Sequence, residues 1–161
     1  MRHCCAQVTT YSLLRKWKVG KGHKVGVLGG LGHMAVKFAV SFGAEVTLLS
    51  TSASKEADAK RLGAHKFVLT KEAGQVKHLE RYFDFIIDTV SALHDYNLYL
   101  QLLKTDGVHI CVGMPPEPLY IIGDSLMRGN RVLTASSIGG FRKHRRCWTT
   151  EQRMILYQTL N

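Results

Sequence analysis

The apolar run KVGVL, at residues 24–28, is followed at once by a cluster of glycines, Gly29, Gly30 and Gly32. Glycine at such a junction lets the backbone approach a pyrophosphate group and lets the following helix pack closely on the strand. The free amide groups at the start of that helix attract phosphate. The first glycine of the usual motif would fall on Val27, so the motif is incomplete. The pattern indicates a dinucleotide-binding turn, and the alternative is a strand-to-helix connection that binds no ligand.

Hydroxyl side chains and a lysine follow the second apolar run, EVTLLS. Ser50, Thr51 and Ser52 stand where NAD enzymes carry an acidic residue, about 20 residues past the glycine motif, and Lys55 comes soon after. A carboxylate there would repel a 2′-phosphate, whereas hydroxyl groups and a lysine can bind it. The cluster therefore favours NADP(H). The same residues can also form a loop that caps the next helix through Ser52 or Ser54, and both interpretations can hold together.

Six apolar or β-rich runs predict the strands that would position these groups. The runs are continuous rather than alternating, which is typical of strands covered on both faces of a sheet. They lie at residues 24–28, 45–50, 66–70, 82–90, 108–114 and 131–138. We predict an α/β fold, a single domain with a doubly wound, mostly parallel six-stranded sheet of the Rossmann type.

Segments of helical character lie between the runs. In HMAVKFAVSF, at residues 33–42, the apolar side chains form one broad face. The segment SKEADAKRLG begins with Ser54 as a predicted cap and ends at Gly63. The segment SALHDYNLYLQLLKTDG carries Leu102 and Leu103 among its apolar helix positions and is predicted to end in a glycine turn.

The formal net charge of the chain is +10, but its distribution argues against nucleic-acid binding. Much of the charge lies at residues 15–24 and 142–146, without the interleaved aromatic residues of a single-strand binding surface. We predict a solvated basic surface, with nucleic-acid binding as the less favoured alternative. Residues 1–17 contain no apolar segment typical of a signal peptide, and no apolar run approaches the roughly 20 residues that span a bilayer. We therefore expect a cytoplasmic protein without a membrane segment.

The four cysteines do not predict a self-contained metal site. Cys111 lies in the apolar run VHICVG and is most simply a core residue. Cys4 and Cys5 are adjacent, which disfavours a disulfide between them, and the chain contains no CxxC pair. The histidines show no metal-ligand spacing, so we predict surface or structural roles for all of them. The sequence assigns no catalytic residue.

Several blocks together resemble the zinc-type medium-chain dehydrogenases, in their cinnamyl alcohol dehydrogenase-like branch. The blocks GLGHMAVKFAVSFGAEVT, FDFIIDTVSA, LLKTDG and VGMPPEPL occur in the family's order, and the resemblance runs from about residue 4 to residue 140. Enzymes of this family have a zinc domain followed by an NADP-binding Rossmann domain. The resemblance implies that residues 1–20 approach from the zinc domain, that 21–140 form the Rossmann domain, and that 141–161 are a divergent basic tail.

The resemblance also implies roles for individual residues. Cys5 falls on the third ligand of the catalytic zinc, which the zinc domain would have to complete, and Thr9 falls on a threonine that contacts the cofactor. Blocks of this sequence match the family's pyrophosphate turn, its 2′-phosphate pocket and the region around the ribose and nicotinamide. The residues implied are, in that order, Leu28, Gly29, Gly30, Leu31 and Gly32; Ser50, Thr51, Ser52 and Lys55; and Thr89, Gly113, Ser136, Ser137 and Ile138.

The implied function is the cofactor-binding part of an NADP-dependent alcohol dehydrogenase, which interconverts alcohols and aldehydes by hydride transfer and is not active alone. Three departures from the family pattern are a glycine turn two residues shorter, the basic tail after Gly140, and the lack of a zinc domain. A fragment, a truncated gene product or a degraded copy would each explain them. The alternative function is a non-catalytic nucleotide-binding or dimerisation module, with a homodimer formed through the edge of the sixth strand at Val132–Ser137.

Overall fold

A computed structural model describes residues 2–29 and 32–136, with the side chains of residues 8–29, 32–72 and 74–136. The helices are α1 (Arg2–Lys16), α2 (Gly32–Ser41), α3 (Glu56–Arg61), α4 (Ala73–Lys77), α5 (Tyr96–Gln101) and α6 (Gly123–Met127). The strands are β1 (Lys24–Leu28), β2 (Glu45–Ser50), β3 (Lys66–Leu69), β4 (Phe83–Asp88), β5 (Leu103–Cys111) and β6 (Val132–Ala135). A short 3₁₀ turn, Ala53–Lys55, precedes α3.

The strands form one six-stranded sheet in the order β3-β2-β1-β4-β5-β6. Every pair is parallel, so the predicted doubly wound α/β sheet of the Rossmann type is confirmed. The chain runs outward from β1 to β3 and then returns to β4 on the other side of β1. This reversal opens a crevice at the carboxyl ends of β1 and β4, which is where open parallel sheets bind ligands.

Two apolar clusters cover the two faces of the sheet. Successive residues of β4 belong to different clusters, with Phe85 and Ile87 in one and Ile86 in the other. The first cluster includes α1 and α2, where the rings of Tyr11 and Phe38 meet edge to face at 5.6 Å. Burial on both faces explains why the strand runs are continuous rather than alternating.

The predicted Ser54 cap is wrong. Ser54 lies inside the 3₁₀ turn, neither this turn nor α3 has a side-chain cap bond, and the Ser54 hydroxyl instead lies 2.8 Å from that of Ser52. Gly63 does follow the end of α3 with a positive φ of 86°, as predicted for a glycine C-cap.

The predicted helix through Leu103 is also wrong. The helix α5 ends at Gln101, and Leu103 already pairs with Phe83 as the first residue of β5. Leu102 and Leu103 are both buried. Their apolar side chains, which suggested the buried face of a helix, are instead buried at the start of a strand. The expected glycine turn lies within β5, where Asp106, with φ of 59°, carries the left-handed backbone.

Candidate functional site

The crevice at the carboxyl ends of β1, β2 and β4 contains most of the predicted site residues that the structure describes. Gly29 follows β1 with φ of 93°, a conformation that glycine adopts without strain. A Cβ atom at Gly29 would lie 2.7 Å from Thr89 Oγ1 and 2.9 Å from Val90 Cγ2. The turn after β1 therefore presses its backbone against the turn after β4, and only glycine fits between them.

The start of α2 packs on β1 in the same close manner. A Cβ atom at Gly32 would lie 2.7 Å from Val27 Cγ1, so this glycine lets the helix approach the strand. Val27, which stands at the position of the missing first glycine, is fully buried and pairs with Leu48 and Ile87 inside the sheet.

Thr89 and Gly113 join the ends of the central strands. The backbone amide and the hydroxyl of Thr89 both donate to the Leu28 carbonyl, over 3.0 and 2.6 Å. A Cβ atom at Gly113 would lie 2.1 Å from the Val90 carbonyl oxygen, so the turn after β5 also requires glycine. The side chain of Leu28 points into the core, so this residue can offer a ligand only its backbone.

The hydroxyl cluster after β2 is hydrogen-bonded largely to itself. The Ser52 amide donates to Ser50 Oγ over 3.2 Å, and the Ser50 hydroxyl donates to the Ser52 carbonyl over 3.4 Å. Thr51 is exposed. The cluster therefore forms a loop, but neither Ser52 nor Ser54 caps the next helix through its side chain, so the capping part of the loop interpretation is wrong. The role of the cluster in binding a phosphate stays a prediction.

A cavity of about 320 Å³ lies between the glycine turn and α3. Two cationic side chains, Lys55 and Arg61, contribute to its wall. The complete lining is Gly29, His33, Leu48, Lys55, Asp58, Arg61 and Leu62. The structure thus brings the predicted Gly29 and Lys55 to one cavity, while Ser50, Thr51 and Ser52 do not line it.

Arg61 is a residue that the sequence analysis missed. It is exposed and forms an ion pair with Asp58 at 3.0 Å, one helical turn away. Such exposed pairs contribute little free energy, so Arg61 can exchange Asp58 for a bound anion at small cost. Lys55, Asp58 and Leu62 are spaced three and four residues apart, which places them on one face of the helical segment. This spacing is the sequence signal that could have predicted which side of the segment lines the cavity.

The remaining predicted residues lie away from this cavity or outside the description. Thr9 is buried on α1, and the Ser136 amide donates to the Cys111 carbonyl over 2.9 Å just after β6. The predictions for the side chain of Cys5 and for Gly30, Leu31, Ser137 and Ile138 lie outside the described residues, as does the tail at 141–161.

A second group of polar side chains lies buried between β4, β5 and α5. Asp88 accepts from the Val90 amide over 2.9 Å, and its other oxygen lies 2.8 Å from His94 Nε2. His109 Nε2 lies 3.9 Å from the same Asp88 oxygen, and His109 Nδ1 lies 3.7 Å from Cys111 Sγ. The sequence analysis gave Cys111 and the histidines only core, surface or structural roles, and it did not bring these residues together.

Burial controls the charge states in this group. It lowers the pKa of His109 to about 4 and raises that of the Cys111 thiol to about 12. For His94, burial opposes protonation, but the hydrogen bonds to Asp88 and the Ala92 carbonyl outweigh it and raise the pKa. His109 is therefore neutral and Cys111 is a thiol near neutral pH, beside an Asp88–His94 pair.

Comparison with known proteins places this chain in a family. The sequence profile described as "Zinc-binding dehydrogenase" matches residues 30–154. The chain belongs to the zinc-binding dehydrogenase family. The resemblance that the sequence analysis recognised is thereby confirmed.

Several known dehydrogenases are similar to most of this chain. It is 47% identical over 138 residues to an NADP-dependent alcohol dehydrogenase C of Mycolicibacterium smegmatis, covering 84% of this chain and 40% of that protein. It is 46% identical over 143 residues to 8-hydroxygeraniol dehydrogenase of Catharanthus roseus, covering 86% and 40%. The chain therefore spans about 40% of the length of these relatives.

Solved structures of the zinc-binding dehydrogenase family share the fold. A cinnamyl alcohol dehydrogenase of Sorghum bicolor superposes with a TM-score of 0.90 at 36% identity, covering 93% of this chain and 44% of that one. The enzyme of the same kind from Helicobacter pylori, complexed with NADP(H), gives 0.79 at 40% identity, covering 89% and 41%. Within the part of the chain that the structure describes, no helix has the length and apolar character needed to cross a bilayer.

Proposed function

We propose that this chain is the NADP(H)-binding part of a zinc-dependent alcohol dehydrogenase that interconverts alcohols and aldehydes by hydride transfer. The observation that carries the proposal is the cavity between Gly29 and the cations Lys55 and Arg61, at the carboxyl edge of the sheet. A dinucleotide needs such an arrangement, because its pyrophosphate binds at the glycine turn and its adenosine ribose lies beside the end of the second strand.

The residues of this cavity fit NADP(H) better than NADH. Lys55 and Arg61 offer positive charge where a 2′-phosphate would lie, and the cavity's one carboxylate, Asp58, is engaged by Arg61. The names of two similar proteins, the NADP-dependent enzyme of M. smegmatis and the NADP(H) complex from H. pylori, support the same choice. Relatives named as alcohol dehydrogenases support an alcohol or aldehyde as substrate.

Within the proposed reaction this chain positions the cofactor. NADP(H), when bound, supplies or accepts the hydride, and zinc in the complete enzyme polarises the substrate oxygen. The glycines at positions 29 and 113 let the turns after β1, β4 and β5 pack closely at the cofactor edge of the sheet, while Lys55 and Arg61 select the phosphate. The role of Cys5 as a zinc ligand, the domain boundaries and the cytoplasmic location stay predictions.

The direct test is calorimetric titration of the folded chain with NADPH and, separately, with NADH. We expect NADPH to bind well ahead of NADH, because only NADPH carries the phosphate that the two cations attract. Equal affinity for both would contradict the 2′-phosphate site. If a chain shown to be folded binds neither, the cavity has no coenzyme role and the alternative below is favoured.

Turnover tests the enzyme part of the proposal. We expect no alcohol oxidation by this chain alone, and NADP-dependent oxidation when it replaces the matching segment of the M. smegmatis relative. The catalytic assay is informative only for a chimaera that binds zinc and NADPH. Such a chimaera that fails to turn over would leave a non-catalytic nucleotide-binding module as the function.

A dimerisation module is the second candidate function, and the edge of the sheet favours it. Among the described strands, β6 pairs only with β5, and Val132 is 39% exposed. An unpaired strand edge is a template for pairing with a second copy. A homodimer through β6 is compatible with cofactor binding, because β6 lies at the far edge from α3.

A further inference from the structure

The buried polar group formed by Asp88, His109 and Cys111 has unused ligand capacity. All three side chains are at most 8% exposed. His109 Nε2 is buried without a hydrogen-bond partner among the described residues, and it faces Asp88 Oδ2 at 3.9 Å. Leaving such a buried atom unpaired is unfavourable. The orphaned Nε2 faces a carboxylate, and a thiol lies 3.7 Å from Nδ1 of the same ring, so the three side chains together offer a donor set that a bound cation would complete.

We propose that Asp88, His109 and Cys111 bind a divalent metal ion of the zinc class. One ligand atom from each residue can be chosen so that all of them lie within 4.8 Å of one another. Imidazole nitrogen, thiolate sulfur and carboxylate oxygen are the three donors that proteins use for Zn²⁺. The mixed set excludes Ca²⁺ and Mg²⁺, which take oxygen ligands.

The sheet fixes the spacing of these ligands. His109 and Cys111 are two residues apart on β5 and point to the same face, while Asp88 is the direct partner of Cys111 across the β4–β5 ladder. Donor atoms around a tetrahedral zinc ion lie about 3.3–3.8 Å apart, so the group must contract by roughly 1 Å. Side-chain rotation can supply this shift without moving either strand.

His94 acts as a positioning residue in this proposal. Its Nε2 lies 2.8 Å from Asp88 Oδ2, and its Nδ1 lies 2.9 Å from the Ala92 carbonyl. Carboxylate ligands of metals are commonly held by such a second hydrogen bond, whose loss weakens metal binding about 10- to 100-fold. The His94 side chain is 14% exposed, which makes it the boundary between this group and solvent.

Binding requires the loss of a proton from Cys111. Burial keeps this thiol protonated in the absence of metal, so the ion must displace the thiol proton to solvent as the sulfur–metal bond forms. His109 is already neutral and needs no deprotonation. The step is a ligand exchange, with no oxidation or reduction.

The test is a cobalt titration of a chain in which Cys111 is the only cysteine. The variant C4S/C5S/C147S removes the other three thiols and with them any thiolate site at the predicted zinc ligand Cys5. We expect Co²⁺ to bind one to one and to give a thiolate-to-cobalt charge-transfer band together with the d–d bands of a four-coordinate ion. Water is expected to fill the fourth position.

Further variants assign the ligands. In the same background, Cys111→Val should abolish the charge-transfer band, His109→Leu should abolish stoichiometric binding, and His94→Gln should weaken binding about 10-fold while keeping the band. His78→Gln is the matched control, because His78 is an exposed histidine at the end of α4, away from the group. Circular dichroism of each variant establishes that it is folded.

A second measurement covers variants that fail to fold. X-ray absorption of the cobalt-loaded parent should show one sulfur and two or more nitrogen or oxygen ligands. A shell without sulfur, no binding by the folded parent, or a charge-transfer band that survives in folded Cys111→Val would each overturn the proposal. The group would then be a hydrogen-bonded structural cluster.

Discussion

Lys55 is the residue on which the proposed preference for NADP(H) depends most directly. Its exposed ammonium group contributes to the cavity wall facing Gly29. We predict that Lys55→Ala weakens NADPH binding roughly 10- to 150-fold, because a hydrogen bond to a charged group is worth about 1.5–3 kcal/mol. NADH, which lacks the phosphate, should change less than about 2-fold. Calorimetric titration of both coenzymes measures the difference.

Lys60→Ala is the matched control for that prediction. Lys60 lies on α3, which directly follows Lys55, and it pairs with Glu56 at 2.9 Å, but it does not line the cavity. Equal losses of NADPH affinity in the two variants would indicate a general effect of net charge rather than a local phosphate contact.

Gly29 and Gly22 have the same backbone conformation, so Gly22 is a control for a substitution at Gly29. The two glycines have φ values of 93° and 91°, but only at Gly29 would an added Cβ meet other atoms. We expect Gly22→Ala to cost about 1 kcal/mol of unfolding free energy from backbone strain alone. Gly29→Ala should cost roughly 1–3 kcal/mol more, because the methyl group collides with Thr89 and Val90. Denaturant unfolding compares them, and equal losses would contradict the close approach of the two turns.

The structure brings the predicted Gly29 and Lys55 to one cavity, and both positions were indicated by short local patterns. A glycine directly after a strand and a lysine directly before a helix can be recognised within a few residues of sequence. The group of Asp88, His109 and Cys111 was not found, since it depends on the pairing of Asp88 with Cys111 across two strands. The register between β4 and β5 is determined by tertiary packing, so it cannot be predicted from a local sequence pattern.

At the scale of elements, capping distinguishes α5 from α3. The Asp95 side chain accepts from the Asn97 amide over 2.9 Å at the start of α5. We predict that Asp95→Ala lowers the free energy of unfolding by about 1 kcal/mol. Ser54→Ala, at the position wrongly predicted as a cap, should cost less than about 0.5 kcal/mol, since exposed positions away from special features tolerate change. Urea unfolding measures both, and a larger loss for Ser54→Ala would restore the rejected cap.

The edge strand β6 permits a test of the dimer at the same scale. The Ser136 amide donates to Cys111 on β5, so by alternation the amide of Ala135 faces away from β5. We predict that Ala135→Pro converts a β6-linked dimer to monomer, because proline removes an outward donor that a second copy needs, while edge strands tolerate proline. Ala135→Val is the control that keeps the amide. Analytical ultracentrifugation decides, and a dimer unaffected by proline would place the contact elsewhere.

The elements themselves were predicted well where apolar runs are continuous and bounded by turns. β1 and β2 have the bounds predicted from KVGVL and EVTLLS, because both are central strands that are buried along nearly their whole length. β5 begins five residues earlier than predicted, at Leu103 rather than at residue 108. Leu102 and Leu103 suit a helix face and a buried strand equally, so only the pairing of Leu103 with Phe83 decides between the two.

For the whole molecule, membership of the family does not by itself establish that the chain binds a cofactor. The match to family members over most of this chain establishes the fold and the family. The proposed coenzyme site, however, depends on a glycine turn in which Val27 lies within the sheet and the close packing is made by Gly29 and Gly32. Ligand binding by the intact chain is therefore the property that distinguishes a working cofactor domain from a fold that has lost its ligand.

Thermal unfolding of the whole chain gives the last prediction. A ligand at 100 times its Kd stabilises the folded state by about 2.7 kcal/mol, and for a chain of this size each kcal/mol raises Tm by about 2–4 °C. NADPH at that level should thus raise Tm by roughly 5–11 °C. NADH at the same concentration, if bound 100-fold more weakly, contributes only about 0.4 kcal/mol and should raise Tm by about 1 °C. In Lys55→Ala the gap between the coenzymes should narrow, and identical shifts in the unaltered chain would show that the cavity does not recognise the 2′-phosphate.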